Sequence, residues 1–497
     1  MTKKQVIKTI AFLLIFAVLF TTVSSVMRAK WAEANSEDLV VDEFNNLIQE
    51  DTLEMLFLGS SQMTYGINPY QVYEDYGISS YSISSGNMCP LIQYYWLLDA
   101  FKTQSKVKTV VMDTSMLFEP EGETRYRRAL NSMNWSINKL KAIWAHCNDG
   151  IAEDGMELYL FDFLRYHSRW DELTEMDFKY WTSEFNFFRG TRMTGYVWQP
   201  TIPYETFVID NDPEDDPEVE LNTLQFDYFE RILALCEERG INVILVKTPK
   251  ESWAKEGSIF VEKYAKENNY PFLDFSDDEG FRTLGLDYYG DFKDKDHLNV
   301  RGATKFTTYL MDYIMETGVE YTDYREVEGF SLEKPELYKI DRVEKMLRSC
   351  ISIDEFLTYL DDEEFEIVIQ STDDISKLWP AEYQKAFADA GIKLDISKMS
   401  GKNYVIVMSK GKCVYEKASA EPIYYSGMFK GNDAFETVSN INETEDDAYM
   451  KVKNVDRPFE INGMNILVRS VYTGKIIAKC TIYNDGGKLA YADMGMG

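Results

Sequence analysis

Two short segments about 230 residues apart hold the residue types needed for nucleophilic catalysis. The first, Leu56-Phe57-Leu58-Gly59-Ser60-Ser61, is an apolar run ending in a Gly-Ser-Ser turn. The second, Asp294-Lys295-Asp296-His297-Leu298-Asn299, puts a carboxylate three residues ahead of a histidine. A serine hydroxyl is a weak nucleophile until a base takes its proton, and an imidazole acts as that base when a carboxylate fixes its tautomer. Ser61, His297 and Asp294 are therefore the candidate nucleophile, base and orienting acid for acyl transfer through a serine ester. The chain has three histidines, His146, His167 and His297, so few groups compete as the base. Asp296 competes for the orienting role, but a residue adjacent to the histidine usually points elsewhere.

These residues need elements that carry them to one place. Short stretches at Glu54–Leu58, Ser80–Ser84, Lys108–Asp113, Asn242–Lys247 and Pro271–Asp274 read as strands, several of them β-branched and apolar. Helical patterns at Leu91–Thr103, Leu224–Arg239, Ser258–Asn268 and Ala303–Glu316 lie between or after them. Buried parallel strands joined by crossover helices look like this, so the expected fold is α/β, a three-layer α/β/α sandwich over residues 53–320. In such sheets active groups gather outside the carboxyl ends of the strands, where Ser61 and His297 both fall.

A helical insert is expected over about 121–220, as a lid over that edge. It holds five of the nine tryptophans, Trp135, Trp144, Trp170, Trp181 and Trp198, and ends in the acidic stretch Asn211–Glu218. Aromatic faces there would suit sugar rings, although lid core is the simpler use for each. His167, Arg189 and Arg192 in the insert are open to substrate contact or to packing. Lys247 ends the fourth strand and is open to meeting an anionic substrate group or to a structural role. A linker is expected over 321–351. Residues 352–497 alternate as strands around one helix, Ala381–Ala390, and read as a β-rich (α+β) domain.

The net charge of −31 makes nucleic acid an unlikely partner for the bulk surface. No metal-ligand spacing and no phosphate-cradling glycine loop is seen, and a serine triad needs no cofactor. Six cysteines show no CxxC, and Cys413 and Cys480 are open to pairing or to lying buried as thiols. Lys3, Lys4 and Lys8 precede an uncharged run from Thr9 to Met27, long enough for a transmembrane helix. Residues 1–30 are read as an uncleaved membrane anchor with its N-terminus cytoplasmic and the bulk extracytoplasmic, with cleavage after Ala32-Glu33-Ala34 as the rival reading, and 31–52 as a polar stalk.

Gly59-Ser60-Ser61 after a strand, Gly66-Ile67-Asn68-Pro69, and the late Asp294-x-x-His297 followed by Leu298-Asn299-x-x-Gly302-Ala303 resemble the SGNH/GDSL hydrolase superfamily, and its exported polysaccharide-modifying members. The resemblance covers about 53–316 and is weakest in the insert. It implies Ser61 as nucleophile, His297 as general base and then acid, and Asp294 as the orienting residue. It also implies an oxyanion hole from the Ser61 N–H, Gly86 after the second strand and an asparagine after the third. Met112-Asp113-Thr114-Ser115 lacks that asparagine, which leaves Asn87 as a substitute donor.

In the C-terminal part, Ser371-Thr372-Asp373-Asp374-Ile375-Ser376, Asn403–Val407 and Asn462-Gly463-Met464-Asn465-Ile466-Leu467-Val468 are similar to the interleukin-like (ILEI/PANDER-like) domain. That similarity implies a non-catalytic module binding glycan or a protein partner. Together the resemblances imply an esterase or acyltransferase acting on O-acyl groups of a cell-envelope or exported polysaccharide, beside a membrane-bound O-acyltransferase. The alternative is a catalytically silent adaptor that binds glycan or the acyltransferase.

Overall fold

The computed structural model describes residues 2–28, 36–118, 123–148, 152, 155–178, 186–198, 221–250, 255–441 and 448–494. The chain forms two compact units, residues 1–194 with 198–335, and 195–197 with 336–497.

The first unit opens with α1 (Lys3–Met27), a 25-residue helix long and apolar enough to cross a membrane, with none of its apolar window buried. α2 (Ser36–Asn46) follows, which corrects the expected stalk. Val40, Val41 and Phe44, with Ile48 just beyond, are buried in the unit's core. Tyr81 donates its hydroxyl hydrogen to the Val40 carbonyl at 2.7 Å. The apolar face has helical spacing, but Asp42 and Glu43 interrupt it and give the stretch a solvated look.

Next come β1 (Met55–Gly59), α3 (Ser61–Gly66), α4 (Pro69–Tyr76), β2 (Ser80–Ser84), α5 (Pro90–Ala100) and β3 (Thr109–Asp113). The insert holds α6 (Glu123–Ser132), α7 (Ile137–Asn148), α8 (Met156–Leu160) and α9 (Asp162–Tyr166). Then follow α10 (Thr223–Glu238), β4 (Asn242–Lys247), α11 (Lys255–Asn268), β5 (Phe272–Asp274), α12 (Asp278–Leu284), β6 (Phe292–Asp294), β7 (His297–Leu298) and α13 (Val300–Glu316).

The main sheet is parallel throughout, in the order β2-β1-β3-β4-β5. Alternate residues feed two cores. Leu56, Leu58, Val110, Met112 and Leu245 pack with Leu97 of α5 and Ile232 of α10. Met55, Phe57, Val111 and Val246 pack on the other side with Phe306 and Leu310 of α13. With both faces covered, the central strands β1, β3 and β4 are apolar almost end to end, which is why their runs are readable in the sequence, while the edge strand β2 alternates serine with Tyr81 and Ile83. The chain winds outward from β1 to β2, then reverses through β3, β4 and β5. The reversal leaves a crevice beyond the carboxyl ends of β1 and β3.

Among the described residues, the insert's helices pack away from the edge where a helical lid was expected. α6 packs on α2 and α5, α7 packs on α5, and α9 packs on α1. Residues 186–194 and Trp198, on the chain's return, reach that edge. The Ser82 N–H donates to the Arg189 carbonyl at 3.0 Å, the Arg192 N–H to the Thr64 carbonyl at 2.9 Å, and the Trp198 N–H to the Phe292 carbonyl at 2.8 Å. Trp181 and Asn211–Glu218 lie outside the described residues.

The second unit begins with α14 (Pro335–Arg348), a helix where a linker was expected; its Leu347 is buried in the unit's core. α15 (Ile353–Leu357), β8 (Phe365–Ser371), α16 (Ala381–Asp389), β9 (Asn403–Ser409), β10 (Lys412–Ser419), β11 (Ile423–Phe429), β12 (Asp433–Ser439), β13 (Tyr449–Val452), β14 (Val455–Asp456), β15 (Met464–Ser470), β16 (Ile476–Asp485) and β17 (Lys488–Asp493) follow. Two antiparallel sheets result, β10-β9-β8-β15-β16-β17 and β11-β12-β13-β14. Val368, Val405, Val407 and Leu467 of the larger sheet meet Ile423, Phe435 and Met450 of the smaller. Phe356 and Phe387 of the helices cover the larger sheet's other face. Cys413 and Cys480 are both free thiols. They sit on β10 and β16, four strand spacings or roughly 19 Å apart, beyond the reach of a disulfide.

Candidate active site

β1 delivers Ser61 to the crevice. Gly59 ends the strand where a Cβ would collide with the Met63 side chain and lie 3.0 Å from Asp113 Cβ, so the turn into α3 tolerates no side chain there. Ser61 is the first residue of α3 and half-buried. Its N–H has no acceptor inside a helix it begins.

A small hairpin delivers the other two residues. β6 and β7 pair antiparallel, with Asp294 directly opposite His297. Asn299 fixes the hairpin to α13, accepting from the Arg301 and Gly302 N–H groups at 2.9 and 3.3 Å and donating to the Gly290 carbonyl at 2.7 Å. A Cβ on Gly302 would run into the Asp291 carbonyl, so the Leu298-Asn299-x-x-Gly302 pattern has a packing cause.

The three side chains form one hydrogen-bonded line. Ser61 Oγ lies 2.7 Å from His297 Nε2, and His297 Nδ1 lies 2.8 Å from Asp294 Oδ1. With the proton on Nδ1, Nε2 is free to accept from the serine. Burial pushes the Asp294 carboxyl up, but the His297 hydrogen bond, the charges of His297 and Lys293, and the Asp296 N–H outweigh it and hold the group well below the usual carboxylate range. Asp296 turns away; its carboxylate is 3.9 Å from Lys250 while its N–H donates to Asp294 Oδ1 at 2.9 Å.

Several neighbours were not singled out by sequence reasoning. The Tyr65 ring meets the His297 ring edge-on at 5.2 Å. Lys293 Nζ sits 4.0 Å from the Tyr65 ring centre and 3.1 Å from Asp294 Oδ2. The available signals were weak. Tyr65 lies four residues after Ser61, hence on the same helix face, and Lys293 flanks Asp294. Beneath the serine loop, Asp113 is fully buried. Ser60 Oγ donates to its Oδ2 at 3.4 Å, and the Ser115 hydroxyl also bonds it. Burial pushes the Asp113 carboxyl up, against the Ser115 hydrogen bonds and the charge of Lys250.

The remaining candidates divide. Arg192 is brought close, its Nη1 donating to the Tyr65 hydroxyl at 3.4 Å. Arg189 is buried and structural, paired with Glu333 at 2.9 Å and bonded to Ser79 Oγ at 2.9 Å. Lys247 is fully buried and donates to Ser258 Oγ at 2.9 Å. His167 is exposed in the segment packed on α1, with Nδ1 2.8 Å from the Leu164 carbonyl. His146 is buried against the Tyr159 hydroxyl at 2.7 Å. Gly86 and Asn87 form the turn after β2, with Asn87 exposed at φ 57°. Thr114, in the place where an asparagine was sought, gives both its N–H (3.0 Å) and its hydroxyl (3.2 Å) to the Val246 carbonyl. Among the described residues no group of three or more His, Cys, Asp or Glu could hold a metal ion.

No family model and no curated protein matches the chain. Similar solved structures include a proposed acylhydrolase of Bacteroides fragilis NCTC 9343, 12% identical over 56% of this chain and 94% of that one, with a TM-score of 0.26. Another is a GDSL-like lipase of Bacteroides thetaiotaomicron VPI-5482, 11% identical over 57% and 99% of the two chains, also at 0.26. Likeness at this level carries no argument about activity, which has to come from the site itself.

Proposed function

We propose that the protein is a serine esterase or O-acyltransferase of the SGNH/GDSL type. The observation that carries this reading is the continuous Ser61–His297–Asp294 line at the sheet's reversal point. Ser61 Oγ attacks an ester carbonyl as His297 Nε2 takes its proton. The carbonyl oxygen gathers negative charge and faces the Ser61 and Gly86 N–H groups, with Asn87 beside them. The C–O bond to the leaving alcohol breaks, and His297 returns the proton to that alcohol. Water or a sugar hydroxyl then repeats the sequence on the seryl ester, giving hydrolysis or transfer. A donor missing from such a hole commonly costs about 10²–10³ in rate, so Thr114 in its sheet-bonded position favours a slow hydrolase or a transferase.

The substrate in this reading is an O-acylated cell-envelope or exported polysaccharide, reached outside the cytoplasm by a chain anchored through α1. A membrane-bound O-acyltransferase is the partner that would supply acyl groups, and the ILEI/PANDER-like second unit would bind glycan or that partner. The test is an O-acetylated polysaccharide, with free acetate and acetyl passed to an unacetylated oligosaccharide counted separately. Loss of both products in Ser61→Ala supports the reading, and equal products from wild type and variant end it. The engaged Thr114 also supports a second reading, a silent adaptor, in which neither product forms yet the glycan still binds.

A further inference from the structure

We infer that the face formed by α9 and the turns after it docks in the outer interface of a lipid bilayer, beside the end of α1. This rests on the reading of α1 as a membrane anchor. Two ring contacts join the elements, Phe20 against Phe161 at 5.9 Å and against Phe163 at 5.7 Å. Arg169 Nη1 donates to the carbonyl of Met27, the last residue of α1, and Arg169 Nη2 bonds Asp177 Oδ1 at 3.0 Å. The insert is thus tied to α1 at two heights, seven residues or about 10 Å apart along the helix.

That separation locates the face. If Thr9–Met27 fills the hydrocarbon layer, its roughly 28 Å ends near Met27, and the Phe20 level lies about 10 Å below that surface. Elements lying on a bilayer bury their apolar face to about 5–10 Å. The last two turns of α1 fit such a position. The Thr21 and Thr22 hydroxyls are satisfied within the helix, donating to the Ala17 and Val18 carbonyls at 2.9 and 2.8 Å.

The residue types agree with the location. Phe161 is 45% exposed, Leu164 42%, Trp170 69% and Phe178 67%. Outside α1, these are four of the twenty exposed large hydrophobic side chains among the described residues, gathered within 18 positions. That crowding is more than scattered surface apolar residues explain. Trp favours the headgroup level, and Trp, Phe and Leu make up the apolar faces of elements that lie in the interface. A chain of net charge −31 gains nothing from anionic lipid, so the docking is apolar and insensitive to salt. The catalytic unit is then held on the membrane by two attachments instead of swinging from one tether, which directs it to substrate at the membrane surface.

The test uses the full chain in phosphatidylcholine nanodiscs whose acyl chains carry bromine just below the carbonyls, a short-range tryptophan quencher. Trp170→Phe is compared with Trp379→Phe, which alters a buried residue of the second unit. We expect Trp170→Phe to lose a share of the quenchable emission that Trp379→Phe retains, equally at low and high salt. Equal quenching in both variants, with the chain resisting carbonate extraction, overturns the docking and leaves the anchor intact. Two chains per disc with Trp170 unquenched would show a second copy covering the face, which also overturns it. Release of the chain by carbonate overturns the anchor and the docking together.

Discussion

Replacing Asp294 by asparagine probes the orienting carboxylate in a way the local hydrogen bonds make specific. Asp294 Oδ1 accepts twice, from His297 Nδ1 at 2.8 Å and from the Asp296 N–H at 2.9 Å, while Oδ2 faces Lys293 Nζ at 3.1 Å. An amide with its oxygen in the Oδ1 place keeps both acceptances and sets its NH2 against Lys293. The reverse orientation points NH2 at two donors and breaks both bonds. The first orientation wins, so Asp294→Asn keeps the useful imidazole tautomer and loses only the negative charge. Two unit charges about 4 Å apart interact by about 4 kcal/mol at an effective dielectric of about 20. The Asp294 side chain is 41% exposed, so screening lowers this to about 2–3 kcal/mol. The expected loss in kcat/KM is therefore about 30–150-fold. Asp294→Ala removes the acceptor as well and should lose about 10³–10⁴-fold. Hydrolysis of p-nitrophenyl acetate by both variants, with circular dichroism to confirm folding, measures the difference. An Asp294→Asn activity within threefold of wild type, or as low as that of Asp294→Ala, would refute the reasoning.

Three further outcomes follow from the same geometry. Ser61→Ala, His297→Ala and the double variant should show nearly equal residual rates, because the two groups act in one step; losses that multiply in the double variant would show independent roles. Gly59→Ala forces a methyl into Met63 and Asp113 and should cost about 1–3 kcal/mol of stability, read as a lowered urea midpoint; an unchanged midpoint would mean the turn relaxes freely. Asp113 titrates above its ordinary value of 3.8, so between that value and the raised one the folded state holds more protons than the unfolded state, and stability falls as pH rises through that window. Asp113→Asn removes the ionisation while keeping an acceptor for the serines, so its gain in Tm over wild type should be larger at pH 7 than at pH 4, and an equal difference at both would contradict the buried, raised carboxyl.

The fold was legible where burial leaves a simple signature. Each of the five parallel strands starts and ends within about one residue of the stretch read for it; β1, β3 and β4, covered on both faces, have no polar side to blur their apolar runs, and β2 shows instead as an alternation of serine with Tyr81 and Ile83. The hairpin carrying Asp294 and His297 was legible as a spacing. Its cause, the direct pairing of the two residues across β6 and β7, is a feature of register that spacing alone does not show. α2 was misread because Glu43, a charged residue, is itself buried and receives the Gly190 N–H at 3.0 Å and Lys334 at 3.4 Å. Tertiary contacts that rescue a buried charge leave no local trace. The β-rich texture of 352–497 was legible, but β11 and β12 have no sharp edges in the sequence, because their exposed faces mix Tyr424, Met428 and Glu436. Tyr65 comes to His297 through packing between α3 and β7, of which the sequence shows only a place one turn after Ser61, and Lys293 reaches Tyr65 from its place beside Asp294 on β6.

The central claim is that Ser61 carries an acyl group. Full-length protein would be mixed with p-nitrophenyl acetate, quenched in acid, and measured by intact mass and peptide mapping. The account predicts one acetyl on the peptide containing Ser61 in wild type, none in Ser61→Ala, and almost none in His297→Ala. A folded wild-type protein that shows neither adduct nor turnover would contradict it.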